Sequence, residues 1–445
     1  MTQAAGAATT LPRSAGGPTR ELPLTHLITL SIYWLGITTI WGGLDGVVIP
    51  RRLDEMDPLF AGRLQAIINA VGVMAPILVQ PTIGVISDHT ISRWGRRKPY
   101  ILIGTVLDVV ILLAFATSNT FLAMVAFYFL LQVSSNFAQG PFQGYVPDLV
   151  PARQVGMASG FMGSMIVLGR IVGTGVATIG LTVFDSFFIA TIGLGVVEAV
   201  TMVVLVSTID EGTAAPPRRQ SWLRVALSAW GTDLLKERSV LWLLAVRALF
   251  LGAVAAPLSY AFFYFLRSHD MTANEATTMV FIGTGIVGLS TLVATIPAAR
   301  LSDRVGRRPV IWVATAIGAV GITGVAVAPS AELGIALLIP FGVATGAFLS
   351  VDWALMTDVI PKHASGRYMG ILNVGTAIAG PLFLAFGGTT MDLVGSTVGF
   401  EYGPRAALLL ALVWLAGAAL ALIPVDPRRR ERDPETVDPS SAALE

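Results

Sequence analysis

Six ionisable side chains stand inside long apolar runs: Asp45, Asp108, Arg170, Glu198, Arg247 and Asp352. A charge at bilayer depth costs about 2.5–3.5 kcal/mol on insertion scales and faces a partner or a wet cavity, so such residues mark solute or proton pathways. Asp45 lies in WGGLDGVVIP, where glycines and a proline loosen the helix. It either titrates as a solute moves or stands as the static partner of a base. Arg170, in GSMIVLGRIVG, is one such base and could pair with Asp45 or Asp108. Glu198 reads as structural. Asp352 and Trp353 adjoin in FLSVDWALMTD, an acceptor for hydroxyls beside an aromatic face for the C–H surface of a sugar ring. Trp41, Tyr260, Tyr264 and Asn373 offer the same chemistry, although a single aromatic in such a run serves packing as readily. Asn136, Gln139 and Gln143 follow at spacings of three and four, so they share one helix face. Amides are costly in an apolar medium unless hydrogen-bonded, which favours a cavity along that face.

Other chemistries are poorly supplied. The chain has no cysteine, which excludes disulfides, thiolate metal sites and Cys nucleophiles. Only four histidines are present, so no metal centre is expected. No GxxxxGK[ST] loop occurs, so ATP drive is unsupported. No enzyme activity and no cofactor are expected. A net charge of +1 suggests no nucleic-acid partner.

These residues need membrane helices to hold them. The 445 residues are 54% hydrophobic and 13% charged, with a mean hydropathy of +0.72, against about 25% charged residues in a soluble domain. Twelve runs are long enough to cross a bilayer, from His26–Ile49 through Pro404–Pro424. They are too long and too continuously apolar for barrel strands, so the fold class is all-α integral membrane. Lys and Arg crowd alternate loops, which predicts cytoplasmic termini in a multi-pass cell-membrane protein. The division expected is a disordered tail over 1–24, a six-helix half over 25–208, a cytoplasmic linker over 209–239, a second six-helix half over 240–424 and a disordered tail over 425–445. Within the linker, Trp222 to Leu235 is either a surface helix or an irregular loop.

The halves repeat. VQPTIGVISDHTISRWGRRKPY, from Val79, returns in short form as ARLSDRVGRRP, from Ala299. VPDLVPARQVGMASG, from Val146, matches MTDVIPKHASGRYMG, from Met356, at nearly the same separation. Parallel halves with a solute site between them are a transporter architecture. The two basic loops resemble the signature loop of the major facilitator superfamily, here Gly84, Asp88, Arg93, Gly95, Arg96 and Arg97, then Asp303, Arg304, Gly306, Arg307 and Arg308. The longer first copy, VQPTIG before it and SSNFAQGPFQGYVPDLVP from Ser134 are similar to the sucrose-transporter branch and, more distantly, the glycoside–cation symporters.

The resemblance implies that the first, fourth, seventh and tenth spans line a central cavity. That makes Asp45 and Asp352 cavity residues and adds Gln132 to the binding set. Proton coupling would then fall to Asp45, Asp108, Arg170 or Asp352. Asp148 and Asp358, closing the fourth and tenth spans, would pair with Arg96 or Arg97 and with Arg307 or Arg308, and these loops would gate. Three positions depart from the branch pattern. Gln132 and Gln80 stand where relatives carry acids, and Gln143 where they carry an Arg. An amide can bond a sugar hydroxyl but cannot carry a proton.

The leading expectation is a secondary transporter of a sugar- or glycoside-like solute, acting as a monomer in the lipid bilayer with a proton as candidate coupling ion. One alternative is an exporter of a drug-like or secondary metabolite, which would want a greasier cavity. The other is a non-transporting membrane sensor or assembly factor, which would want large extra domains.

Overall fold

The computed structural model describes residues 21–88, 90, 92–151, 153–211, 238–359 and 365–425. The proposed surface helix over 222–235 lies outside the described residues. So do the side chains of Asp88, Trp353, Asp358 and Asn373.

Among the described residues the chain is helical throughout, and eleven helices are long and apolar enough to cross a membrane. In chain order they are α1 (Leu24–Met56), α2 (Ala61–Gly72 and Met74–Asp88), α3 (Lys98–Ala116), α4 (Phe121–Gln143), α5 (Val155–Thr182), α6 (Phe187–Thr208), α7 (Arg238–Ser268), α8 (Ala273–Val305), α9 (Arg307–Val327), α10 (Ala331–Ala336 and Leu338–Val359) and α12 (Tyr402–Ala421). Between the last two, α11 (Ser365–Thr397) fills the position of the remaining expected span. Helix α1 runs past the expected end at Ile49. Its last two turns, Ile49–Met56, carry Arg51, Arg52 and Asp54 beyond the point where the apolar run stops.

Short polar side chains start four of these helices. Thr120, Ser186 and Ser330 each accept a bond from a first-turn N–H of α4, α6 and α10. Thr272 and Glu275 close a reciprocal capping box on α8. Such caps satisfy donors that no turn of the helix can reach. All four lie at the bundle end away from the basic loops.

The packing list has an internal symmetry. Helix α1 packs on α5 and α6, α2 on α4, and α3 on α4 and α6. Adding six to each number gives the second set: α7 on α11 and α12, α8 on α10, and α9 on α10 and α12. Duplication is thus present in the helix contacts as well as in the loops. The two sets meet chiefly through α5 with α8 and α2 with α11.

Small residues allow the tightest crossing. Where α1 meets α5, a Cβ on Gly42 would sit 2.7 Å from the Arg170 backbone, and one on Gly173 would overlap the Thr39 carbonyl. Close backbone approach through small residues is the usual means of holding helices together where lipid offers no hydrophobic drive.

Candidate functional site

Asp45 occupies a distorted stretch of α1. Residues Leu44–Val48 form a π-helical turn, which carries one extra residue relative to α-helix and recurs at functional sites. The turn leaves Asp45 half-buried. The Tyr128 hydroxyl of α4 lies 3.1 Å from Asp45 Oδ1 and 3.3 Å from Asn69 Oδ1, and its single hydrogen can serve one of them at a time. From Tyr128 a chain of amides follows α4. Gln132 Nε2 donates to the Tyr128 oxygen at 3.3 Å, and Asn136 Nδ2 donates to Gln132 Oε1 at 3.3 Å and to the Gln132 backbone carbonyl at 2.7 Å. Gln80 Nε2 of α2 donates to Asn136 Oδ1 at 3.2 Å. Behind Asn69, Gln65 Nε2 reaches the Ser259 carbonyl of α7 at 3.0 Å. Trp41 packs edge-on to Tyr128 at 5.8 Å.

Arg170 faces this acid from α5. It acts electrostatically on Asp45, yet no carboxylate among the described residues lies within ion-pair distance of it. The Arg170 side chain is exposed to a water-sized sphere, so the acid's neighbour on α5 is wettable. The expected pair of Arg170 with Asp108 does not form. Asp108 is fully buried and accepts from Ser134 Oγ.

In the second half the expected cavity residues are otherwise engaged. Asp352 and Arg247 are 2% and 4% exposed and form an ion pair between α10 and α7, with Met356 Sδ 2.8 Å from the guanidinium. The Tyr260 hydroxyl donates to the Leu384 carbonyl and Tyr264 to that of Val325, each at 2.5 Å. Asp352, Tyr260 and Tyr264 are all buried, so in this conformation they join helices; Trp353 and Asn373 lie outside the described side chains. On α4, Gln139 is half-buried and Gln143 exposed.

The basic loops are held by ion pairs and by bonds to backbone groups. Arg96 and Arg97 both pair with Asp148, Arg97 Nη2 at 2.6 Å, and Arg97 Nη1 donates to the Pro141 carbonyl at 2.6 Å. Gly95 takes φ 107°, a conformation open to glycine, and packs against Glu211. Glu211 in turn accepts from the Lys98 and Arg97 backbone N–H groups at 2.9 and 3.1 Å, in effect capping α3 from the far end of α6. Burial pushes the Glu211 carboxyl above its usual range, partly offset by those two donors. A Cβ on Gly84 of α2 would lie 3.8 Å from the Gly140 carbonyl of α4, and Arg93 lies over the exposed Trp94 ring. In the second loop Arg307 bonds Asp303 at 2.5 Å and Ser302 at 2.7 Å, Arg308 bonds the Ile423 carbonyl, Gly306 takes φ 92° and Arg304 is exposed.

The two ends of the bundle differ. Away from the basic loops, polar contacts cross between the halves. Arg267 Nη2 of α7 bonds Asp54 Oδ1 of α1 at 2.6 Å and lies over the Phe400 ring. Arg51 of α1 donates to Asn274 of α8 at 2.7 Å. Asp392 of α11 accepts from the Gly62 and Arg63 backbone N–H groups at 3.2 and 2.9 Å, capping the start of α2, with Arg63 Nε 3.7 Å away. Toward the basic loops, a Cβ on Gly156, Gly160 or Gly163 of α5 would meet nothing within 4 Å. The contacts between the halves close the bundle at the end away from the basic loops.

Sequence reasoning missed Tyr128, Asn69, Gln65 and Asp392. Tyr128 had a usable signal, since it stands four residues before Gln132 and eight before Asn136 on one face. Asn69 and Gln65 form a similar step of four on α2. Asp392 had none, because its partners are backbone groups of a distant helix.

The sequence profile of the Major Facilitator Superfamily matches residues 27–291 and 282–445. Among curated proteins, the chain is 31% identical over 124 residues to the sucrose transport protein SUT1 of Oryza sativa subsp. japonica, covering 23% of each chain. It is 29% identical over 169 residues to the general alpha-glucoside permease of Schizosaccharomyces pombe, covering 33% of this chain and 29% of the relative. Similarity to the lactose permease of Leuconostoc lactis is 29% over 143 residues, covering 28% and 22%. The chain thus spans less than a third of the length of these relatives. Among solved structures, a nucleoside transporter NupG superposes with a TM-score of 0.67 at 14% identity, covering 90% of this chain and 99% of that one. A bacterial homologue of the human lysosomal transporter Spinster gives 0.70 at 13%, covering 91% and 97%. With the profile match spanning both halves, the chain belongs to the Major Facilitator Superfamily and is a membrane transporter, not an enzyme.

Proposed function

We propose that this protein is a secondary transporter that moves a sugar- or glycoside-like solute by alternating access, coupled to protons through Asp45. The observation that carries the reading is the polar chain from Asp45 through Tyr128, Gln132 and Asn136 to Gln80, set among apolar helices. Amides and a phenol supply both donors and acceptors, which a polyhydroxylated solute needs, and they carry no charge that would select an ion. Trp41, beside Tyr128, offers an aromatic face for the ring's C–H surface. Relatives named as sucrose, alpha-glucoside and lactose carriers favour the same class. Asp45 is the titratable group on this chain, and Arg170 is placed to stabilise it whenever it is ionised.

The excess of Lys and Arg in alternate loops supports a cell-membrane orientation with both termini cytoplasmic. The end closed by contacts between the halves would then face outward. The protein works as a monomer, with the site formed inside one chain. The deciding experiment is uptake of labelled sucrose, maltose, lactose and glucose into proteoliposomes, with and without an imposed proton gradient. Gradient-driven uptake of one or more is expected. Uptake indifferent to the gradient removes the coupling role of Asp45, and no uptake of any sugar removes the substrate class.

A further inference from the structure

Away from the solute path, two acids meet where nothing neutralises them. Asp108 of α3 and Glu198 of α6 are each 0% exposed on helices that pack together, and their carboxyl groups act on one another. Tyr33 of α1 approaches Glu198 Oε1 at 3.2 Å and Thr105 Oγ1 at 2.5 Å. Ser134 of α4 donates to Asp108 Oδ1. These are the titratable and polar groups that face the pair, and no Lys, Arg or His among the described residues acts on it.

The hydrogens can be counted. The Thr105 hydroxyl donates to Tyr33, the Tyr33 hydroxyl to Glu198 Oε1, and the Ser134 hydroxyl to Asp108 Oδ1. Each of these groups has one hydrogen, and each is used. Asp108 Oδ2 and Glu198 Oε2 remain, both fully enclosed and without a donor. Two enclosed carboxylates side by side repel and cannot both stay ionised, and an unsatisfied acceptor in such a place is itself costly. One added proton answers both objections. It would complete a hydrogen-bonded ring of contacts joining α1, α3, α4 and α6.

We propose that Asp108 and Glu198 form a proton-binding site in which a single proton is shared between Oδ2 and Oε2, held through the transport cycle as part of the first half's core. This goes beyond the transport reading and needs no particular solute. The site is distinct from Asp45, whose neighbours are Tyr128, Asn69 and Arg170.

The test is infrared spectroscopy of the purified full chain at neutral pH, wild type against Asp108→Asn and Glu198→Gln. An amide can donate the missing hydrogen, so each variant should fold, and each should lose a neutral-carboxyl carbonyl band that the wild type shows. Thermal unfolding of the wild type should become easier as pH rises through the loss of that proton, and should be indifferent to sodium. In either amide variant this pH response should flatten. A band unchanged in both variants, or absent from the wild type, overturns the proposal. So does a wild-type unfolding midpoint raised by sodium and insensitive to pH, which would assign the site to a metal cation. The wild-type measurements decide the matter even if neither variant folds.

Discussion

Replacing Asp392 by Ala should open the sealed end. Its carboxylate accepts two backbone N–H groups at the start of α2, from a helix in the other half, and lies 3.7 Å from Arg63 Nε. Losing a helix cap costs about 0.5–2 kcal/mol, and a partly buried negative charge at a helix N-terminus contributes up to about 2 kcal/mol more. These contacts join halves that separate when the end opens, so their loss counts against the sealed state alone. A net shift of roughly 1–3 kcal/mol corresponds to about 5- to 150-fold in the ratio of the two states. The absence of cysteine makes the assay direct. Spin labels on Leu59→Cys and Val398→Cys, which are 61% and 68% exposed in loops on either side of the seal, would report the separation. Asp392→Ala should move the distance distribution to longer values. Asp392→Asn, which keeps one acceptor oxygen, should fall between. A distribution identical to that of the parent would refute the assignment of Asp392 as a latch.

Other expectations follow from the same geometry. Tyr128→Phe removes the bond to Asp45 and should weaken solute binding by about 1 kcal/mol, a several-fold rise in the half-saturating concentration with insertion intact. Asp45→Asn should abolish accumulation against a gradient while leaving solute exchange, measurable as counterflow in proteoliposomes; loss of both would place Asp45 in solute binding itself. Arg247→Ala strands the Asp352 carboxylate in the core and should cost about 3–5 kcal/mol in detergent unfolding, whereas replacing both partners by apolar residues should recover much of it. Because burial raises the Glu211 carboxyl above its unfolded value, its contribution to stability is fullest below the ordinary carboxylate range and declines as pH rises through the folded value. Glu211→Gln should flatten that part of the pH–stability profile.

Much of this molecule is legible in its sequence for a simple reason: apolar length and basic loops are one-dimensional signals. The spans and the duplication came from local pattern. What was not legible is which helix faces which. Asp352 looked like a cavity residue because the resemblance sets the tenth span along the cavity, but Arg247 of α7 holds it. Glu198 looked merely structural until α3 brought Asp108 beside it. Tyr260 and Tyr264 look like binding aromatics by type, and only their bonds to the Leu384 and Val325 carbonyls show that they staple helices. Arg51 and Asp54 lie beyond the apolar run, so nothing local announced that they continue α1 and meet α8 and α7.

The π-helical turn at Leu44–Val48 has a mechanical consequence. It contains Asp45 and precedes the two latch residues Arg51 and Asp54 on the same helix. An α-helix advances about 100° per residue. Were the turn to give up its extra residue and become α-helical, everything beyond it would swing about the helix axis by roughly that angle. Arg51 and Asp54 would then point away from Asn274 and Arg267. A local change at the acid would thus be delivered as rotation at the seal, like a key turned at one end of a shaft, without any need for the helix to bend.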